Sequence, residues 1–400
     1  MAPSPSNPAG TGRDSHSDLT RFETIRAWAE GRLTQTFATR VEVRVREVIA
    51  DFHDVRNKVL RLSVSSHHPA AIPATVVAKF SVPGSRHLEI EAINLGFLGD
   101  LPAMREIVPA LYAHDAGRGA MLIEDLWSAD CLRIAEILNG ESAVLAASAL
   151  EALQRSTGRM HAESAGLLGE YRHRLRHMEK TTGAPTHPVE RLGAALLDFA
   201  ALPGRWGFDA RGFEDECRAV AAIIDHPGPF LVFTHGDATV LNAFYSPRGA
   251  RLIDFELGRY RHALVDGAFG RIRYICSSRA CGVPAALRRK MTAAYREELA
   301  RTCDAARDTD RFNRELTAAA AAWLAVFCSW LPATLAEDYV WGHASARQRI
   351  CSGIDHFIEL AEETGHFPAI ADAAAQLKAR LESLWHPDER ELNSFRAFAP

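Results

Sequence analysis

Two carboxylates and a carboxamide stand at a telling spacing in the run Phe233-Thr234-His235-Gly236-Asp237-Ala238-Thr239-Val240-Leu241-Asn242 and, twelve residues on, at Asp254 in Leu252-Ile253-Asp254-Phe255-Glu256. They read as a catalytic loop followed by a metal-binding loop. Phosphoryl transfer from ATP asks a protein for little covalent chemistry, but it needs a carboxylate to orient the acceptor hydroxyl and further oxygens to hold magnesium. Asp237 suits the first task, and Asn242 and Asp254 the second. Read locally, the same residues would shape a polar turn and end a strand. The flanks Phe230–Thr234 and Ala243–Ser246 are short apolar runs of strand character, and Gly249-Ala250-Arg251 turns the chain into Leu252-Ile253.

At these residues the sequence resembles the aminoglycoside phosphotransferase and choline kinase-like family, small-molecule kinases with a protein-kinase-like fold. The family's pattern is H-x-D, four residues, Asn, then a hydrophobic-Asp-hydrophobic triplet. Here it is carried by His235-Gly236-Asp237, Asn242 and Ile253-Asp254-Phe255, and Asp266 stands where the family keeps a further Asp on the next helix. The resemblance implies a bilobal α+β fold, with a small antiparallel-sheet N-lobe and a larger, mostly helical C-lobe. It implies ATP and Mg2+ as cofactors and a hydroxyl of a small molecule as acceptor, the classes being antibiotic, sugar-like or amino-alcohol metabolite. Asp237 would be catalytic, Asn242 and Asp254 would hold the metal, and His235 and Asp266 would brace the loop.

The elements upstream fit an N-lobe. Leu19 to Phe37 carries Phe22, Ile25, Trp28, Ala29 and Leu33 at helical spacing, and alternation then marks three strands, at Val41-Val43-Val45, Val59–Val64 and Ala74–Phe80. Lys79, closing Val76-Val77-Ala78, is similar to the strand lysine that holds the inner phosphates in kinases. The next helix, Ser85 to Leu98, offers Glu89 and Glu91 as its partner. Resemblance to an E-A-x-x-L pattern favours Glu91, in Glu91-Ala92-Ile93-Asn94-Leu95. A hairpin from Ile107 through Tyr112 and back along Ala120–Ile123 leads into Glu124-Asp125-Leu126, which looks like the family's hinge, where backbone groups meet adenine. The carboxylates of Glu124 and Asp125 are open to helix capping and solvent exposure instead. The stretch Asp51–Lys58 departs from the family: it keeps the frequent asparagine as Asn57 but holds no glycine, and Arg56 or Lys58 would have to contact phosphates by side chain.

Downstream, Ser142 to Ala165 reads as a helix whose His161 is a structural histidine at the lobe interface. Gly166 to Arg211 is irregular, with a run of basic residues from Arg172 to Lys180. Helices are expected at Phe213–Ile224, Ala285–Thr302, Arg311–Leu331, Arg347–Thr364 and Ala369–Trp385. From Arg251 to Arg301 eleven basic residues face five acidic ones. That balance favours a neutral or anionic acceptor over a polycation. Glu256 lies outside the catalytic set, because its position two residues after Asp254 fits a salt bridge equally well.

The 400 residues suggest two lobes, of about 100 to 200 residues each. We assign 19–125 to the nucleotide-binding lobe and 126–400 to the catalytic and acceptor-binding lobe. A formal charge of −4 gives no electrostatic footprint for nucleic acid. Seven scattered cysteines without a C-x-x-C pair indicate neither a disulfide framework nor a zinc site, and read as reduced thiols of a cytoplasmic protein. Met1 to Asp18, rich in Pro, Ser, Gly and Asn, reads as a disordered tail rather than a signal peptide. The apolar stretch Leu316–Leu331 is too short to span a membrane and reads as a core helix. The rival function is a catalytically impaired pseudokinase that binds a ligand or protein, prompted by the glycine-free loop. A hydrolase using His235 and Asp237 as metal ligands lacks the additional His and Asp ligands such sites need.

Overall fold

The computed structural model describes residues 15–51, 58–67, 72–81, 85–128, 130–182, 199–208, 210–271 and 280–399, with Leu196 and Ser278. Asn57 and Arg56 of the expected phosphate loop, and positions 1–14 of the expected tail, lie outside these residues. Ser15–Asp18, read from sequence as tail, instead begin helix α1 (Ser15–Thr36). The chain divides into two compact units, the first comprising residues up to Leu126 together with Phe255–Leu257 and a short stretch from His177.

In the first unit β1 (Val41–Asp51), β2 (Lys58–Ser66), β3 (Thr75–Phe80), β4 (Leu111–Asp115) and β5 (Ala120–Glu124) form one antiparallel sheet in the order β1-β2-β3-β5-β4. Strand alternation sorts β3 cleanly. Val76, Ala78 and Phe80 join Ile25, Trp28, Ala29 and Leu33 of α1 in one apolar core, where each large side chain contributes roughly 1.5–3 kcal/mol of burial. Val77 and Lys79 occupy the opposite face, with Lys79 directly across from Val59 on β2 and Met121 on β5. Helix α2 (Arg86–Gly99) follows and buries Leu88, Glu91, Leu95 and Leu98. The strand expected from Ile107 starts only at Leu111. Ile107 and Val108 are buried in a turn that follows the short helix Pro102–Met104. Pro109 lacks the N–H a ladder requires, so pairing begins after it.

The second unit runs from Trp127 and is mainly helical. Helix Ala143–Ser164 is capped by the Ser142 hydroxyl, which accepts the Leu145 N–H at 3.2 Å. It packs against helix Ala285–Leu299 at Gly158, where a Cβ would lie 2.5 Å from the Tyr295 carbonyl oxygen. Helices Phe213–Asp225, Thr309–Cys328, Ala346–Thr364 and Pro368–Leu384 supply most of the remaining core. The region expected to be irregular holds helix Leu168–Thr182, with Tyr171, Leu175 and Met178 buried and Arg172, His173 and Arg176 exposed. The basic run hid this helix from a reading by apolar periodicity, because only one residue per turn is apolar. Among the strands, β6 (Leu132–Arg133), β8 (Ala243–Ser246) and β9 (Gly249–Leu252) form a three-stranded sheet, and β7 (Leu231–Thr234) pairs antiparallel with β10 (Arg259–His262). Among the described residues no helix is long and apolar enough to cross a membrane.

Candidate active site

The segment after β7 is held by one buried carboxylate. Gly236, at φ +83°, turns the chain so that the successive N–H groups of His235 and Gly236 both point at Asp266 Oδ2, at 2.7 and 3.1 Å. Asp266 sits on the short helix Ala263–Gly267 and is fully buried. Burial opposes its charge, but His161, Arg261 and the Gly236 N–H outweigh that and hold the carboxyl at about 2. His161 Nε2 lies 3.7 Å from Asp266 Oδ2, and its Nδ1 lies 2.7 Å from the Tyr295 hydroxyl, which donates to the Ala263 carbonyl at 3.1 Å. His161 is thus a fully buried structural residue, as expected, braced against Asp266 and Tyr295.

His235 ties this segment to the next. Its Nδ1 accepts the Asp237 N–H at 3.2 Å, so Nε2 carries the proton and donates to the Ile253 carbonyl at 2.8 Å. Burial pushes the imidazole pKa down against the opposing pull of Asp266 and Asp237, and the ring is neutral. The Ile253 N–H returns a bond to the Asn242 carbonyl at 2.9 Å. Both sides of Ile253 are therefore fixed immediately before Asp254. Asp254 adopts φ +64°, a left-handed conformation that Asp tolerates better than most residues and that re-aims its carboxylate away from the strand direction.

Asn242 completes the arrangement. Its side-chain Nδ2 donates to the Asp237 carbonyl at 3.0 Å and to Asp237 Oδ2 at 2.9 Å. With the donor used in this way, the amide oxygen is left as the atom that could ligate a metal. Asp237, Asn242 and Asp254 are each half-buried in otherwise buried surroundings. The donor set is two carboxylates and an amide oxygen, all hard ligands. Magnesium binds through one or two carboxylates plus substrate phosphates rather than in an all-protein cage, and these residues fit it. No group of three or more His, Cys, Asp or Glu residues suited to a metal occurs among the described residues.

The first unit holds the other named residues. Lys79 Nζ donates to Glu91 Oε1 at 2.7 Å, with the two side chains 7% and 1% exposed. Glu89, the alternative partner, is buried and its carboxyl pKa is raised by that burial. One turn after Glu91, Asn94 donates to the Phe255 carbonyl at 2.7 Å. The carboxylates of the hinge-like segment both have partners in the first unit. Glu124 accepts the Ala110 N–H at 3.1 Å, and Asp125 takes Arg61 at 2.8 Å. Arg61 reaches β1 as well, through Glu47 at 2.7 Å. Leu126 is buried. The nearer arginines also have structural duties: the Arg259 carbonyl accepts the Thr234 hydroxyl at 2.9 Å, and Arg261 faces Asp266.

Tyr295 escaped the sequence reading because it lies far downstream of Asp266 on an ordinary helix. A local signal did exist: at Gly267, next to Asp266, a Cβ would come within 2.8 Å of the Tyr295 ring.

The described residues form an α+β fold, an antiparallel-sheet unit and a mostly helical one that carries Asp237, Asn242 and Asp254. No protein-family model matches the sequence, and no curated protein does. Solved structures do resemble it. An ethanolamine kinase of Plasmodium vivax is 10% identical, with 88% of this chain and 91% of that one covered and a TM-score of 0.47. A choline/ethanolamine kinase family protein of Mesorhizobium loti is 14% identical over 89% and 99% of the two chains, at a TM-score of 0.44. A macrolide 2'-phosphotransferase type I is 12% identical over 92% and 99%, at 0.45.

Proposed function

We propose that the protein is an ATP- and magnesium-dependent phosphotransferase whose acceptor is a hydroxyl group of a small molecule. The observation that carries this reading is the joining of Asp237, Asn242 and Asp254 through His235 and Ile253. When bound, magnesium neutralises charge on the phosphates and aligns them for in-line transfer. Asp237 receives or orients the hydroxyl proton of the acceptor, with Asn242 fixing its rotamer. Asn242 and Asp254 supply metal-ligating oxygens. Lys79, held by Glu91, binds the inner phosphates, and backbone groups of Glu124 and Leu126 meet the base. Asn57 would contribute from the phosphate loop.

The eleven-to-five count of basic over acidic residues no longer bears on the acceptor, because several of those arginines are spent elsewhere. Arg271 and Arg289 pair with Glu363 and Arg288 pairs with Glu359, all outside the counted segment.

The test is phosphate transfer from γ-labelled ATP to a panel of amino alcohols, sugars and hydroxylated antibiotics. With an accepted substrate, Asp237→Asn lowers kcat by roughly 10²–10⁴-fold and leaves nucleotide affinity in place. Unchanged turnover in that variant removes Asp237 from its role. Nucleotide binding without transfer to any acceptor would favour the ligand-binding reading.

A further inference from the structure

We propose that a groove in the second unit, formed by helices Ala285–Leu299, Thr309–Cys328 and Ala346–Thr364, binds a small organic anion whose carboxylate or phosphate is carried on an apolar body. The cavity measures about 570 Å³ and is lined by Arg271, Arg289, Arg296 and Arg307 against Glu297 and Glu363. Its floor is apolar, with Phe312 and Leu316, and the Arg296 guanidinium lies 5.0 Å from the Phe312 ring centroid.

The charges at this place do not cancel internally. Arg271 is only 5% exposed; it reaches Glu363 at 2.9 Å through one terminal nitrogen, while its buried Nε has no partner among the described residues. Arg289 leans on the same Glu363, at 3.2 Å, so one carboxylate serves two guanidiniums. Glu359 is engaged by Arg288, leaving three arginines to share two glutamates. Neighbouring groups register the surplus. Burial lowers the Arg288 pKa, and Arg271 and Arg289 add to the effect, while His356 is held at about 3 by burial together with Arg288 and Arg271. The buried Arg271 Nε calls for an acceptor, and beside it the exposed Arg289 offers a second guanidinium, whose planar fork matches carboxylate and phosphate oxygens. Arg296 spends N–H groups on the Ala306 and Arg307 carbonyls, which orients it without removing its charge, whereas Arg307 bonds the Ala300 carbonyl and pairs with Asp304 at 2.8 Å. The apolar floor is why the anion is organic rather than a bare ion. The groove shares no residue with the catalytic and metal loops, and binding there is independent of them.

The test is calorimetric titration of the full chain with phenyl phosphate and with benzoate at fixed ionic strength, with benzyl alcohol as the neutral reference. One or both anions bind and the alcohol does not. Arg289→Ala, at an exposed position that tolerates truncation, weakens binding about tenfold or more, as loss of a charge-assisted contact does, and Asp254→Ala leaves it unchanged. Arg271→Gln abolishes it if that variant folds; the Arg289 variant decides the matter if it does not. The idea is overturned if neither anion binds at millimolar concentration, if Arg289→Ala binds as the native chain does, or if Asp254→Ala removes the binding.

Discussion

Charge is buried in two contrasting ways in the two units. In the first, Lys79 and Glu91 meet as side chains from a strand and a helix at 2.7 Å. In the second, Asp266 is held by side chains and backbone together, with His161 and Arg261 nearby and two successive N–H groups of the loop that carries Asp237 bonded to it. A buried ion pair roughly breaks even for stability against apolar residues of the same size, so its presence points to a ligand that needs the ammonium. A carboxylate bonded to backbone, by contrast, sets the path of the chain itself. On the proposed function the first pair would serve nucleotide binding more than folding, whereas Asp266 sets the path of the loop that carries Asp237.

Breaking the first pair gives the largest stability change. Lys79→Met alone strands Glu91 in an apolar place and costs about 3–5 kcal/mol in urea unfolding, whereas Lys79→Met with Glu91→Leu regains most of that loss. Neither variant binds ATP normally. If the double variant is as unstable as the single one, the contrast between the units is wrong. Asp266→Asn keeps an acceptor for the two N–H groups but loses the charge, a smaller loss of about 1.5–3 kcal/mol. Asp237 turnover falls with it because the loop shifts, and a variant of native stability and activity would contradict the bracing role.

The pH dependence of stability sharpens the same comparison at a finer scale. The Asp266 carboxyl is depressed from 3.8 to about 2 in the folded chain, so its contribution is present above 3.8 and is lost as pH falls toward 2. His356 is depressed from 6.5 to about 3, so the unfolded chain takes up the proton first. Stability then falls by up to about 1.4 kcal/mol per pH unit as pH drops below 6.5. His235 and His262, both lowered by burial, act in the same direction. Denaturant midpoints between pH 7 and 4 check this, with His356→Gln giving the shallower slope. An equal slope in that variant would place the proton uptake elsewhere.

Local pattern made much of this legible. The strand pattern ending at Lys79 and the helical frame of α2 were sufficient to put Glu91 within reach, because both periodicities are short-ranged. The clustering of Asp237, Asn242 and Asp254 was legible in their spacing, a property of one contiguous segment. Long-range partners did not show. Asp125 is claimed by Arg61, and the arginines of Ala285–Leu299 by glutamates of Ala346–Thr364, in both cases through tertiary packing that linear charge counting does not see. Helix Leu168–Thr182 was missed for a different reason, since its polar face dominates its composition.

Thermal unfolding with ATP, in the presence and absence of magnesium, tests the account most directly, using the native chain and Asp254→Ala side by side. Nucleotide at about 100 times its dissociation constant stabilises the native state by roughly 2.7 kcal/mol, a rise of a few degrees in midpoint. A rise that requires magnesium and disappears in Asp254→Ala is the predicted result. No rise at millimolar nucleotide, or the same rise in the variant, would contradict it.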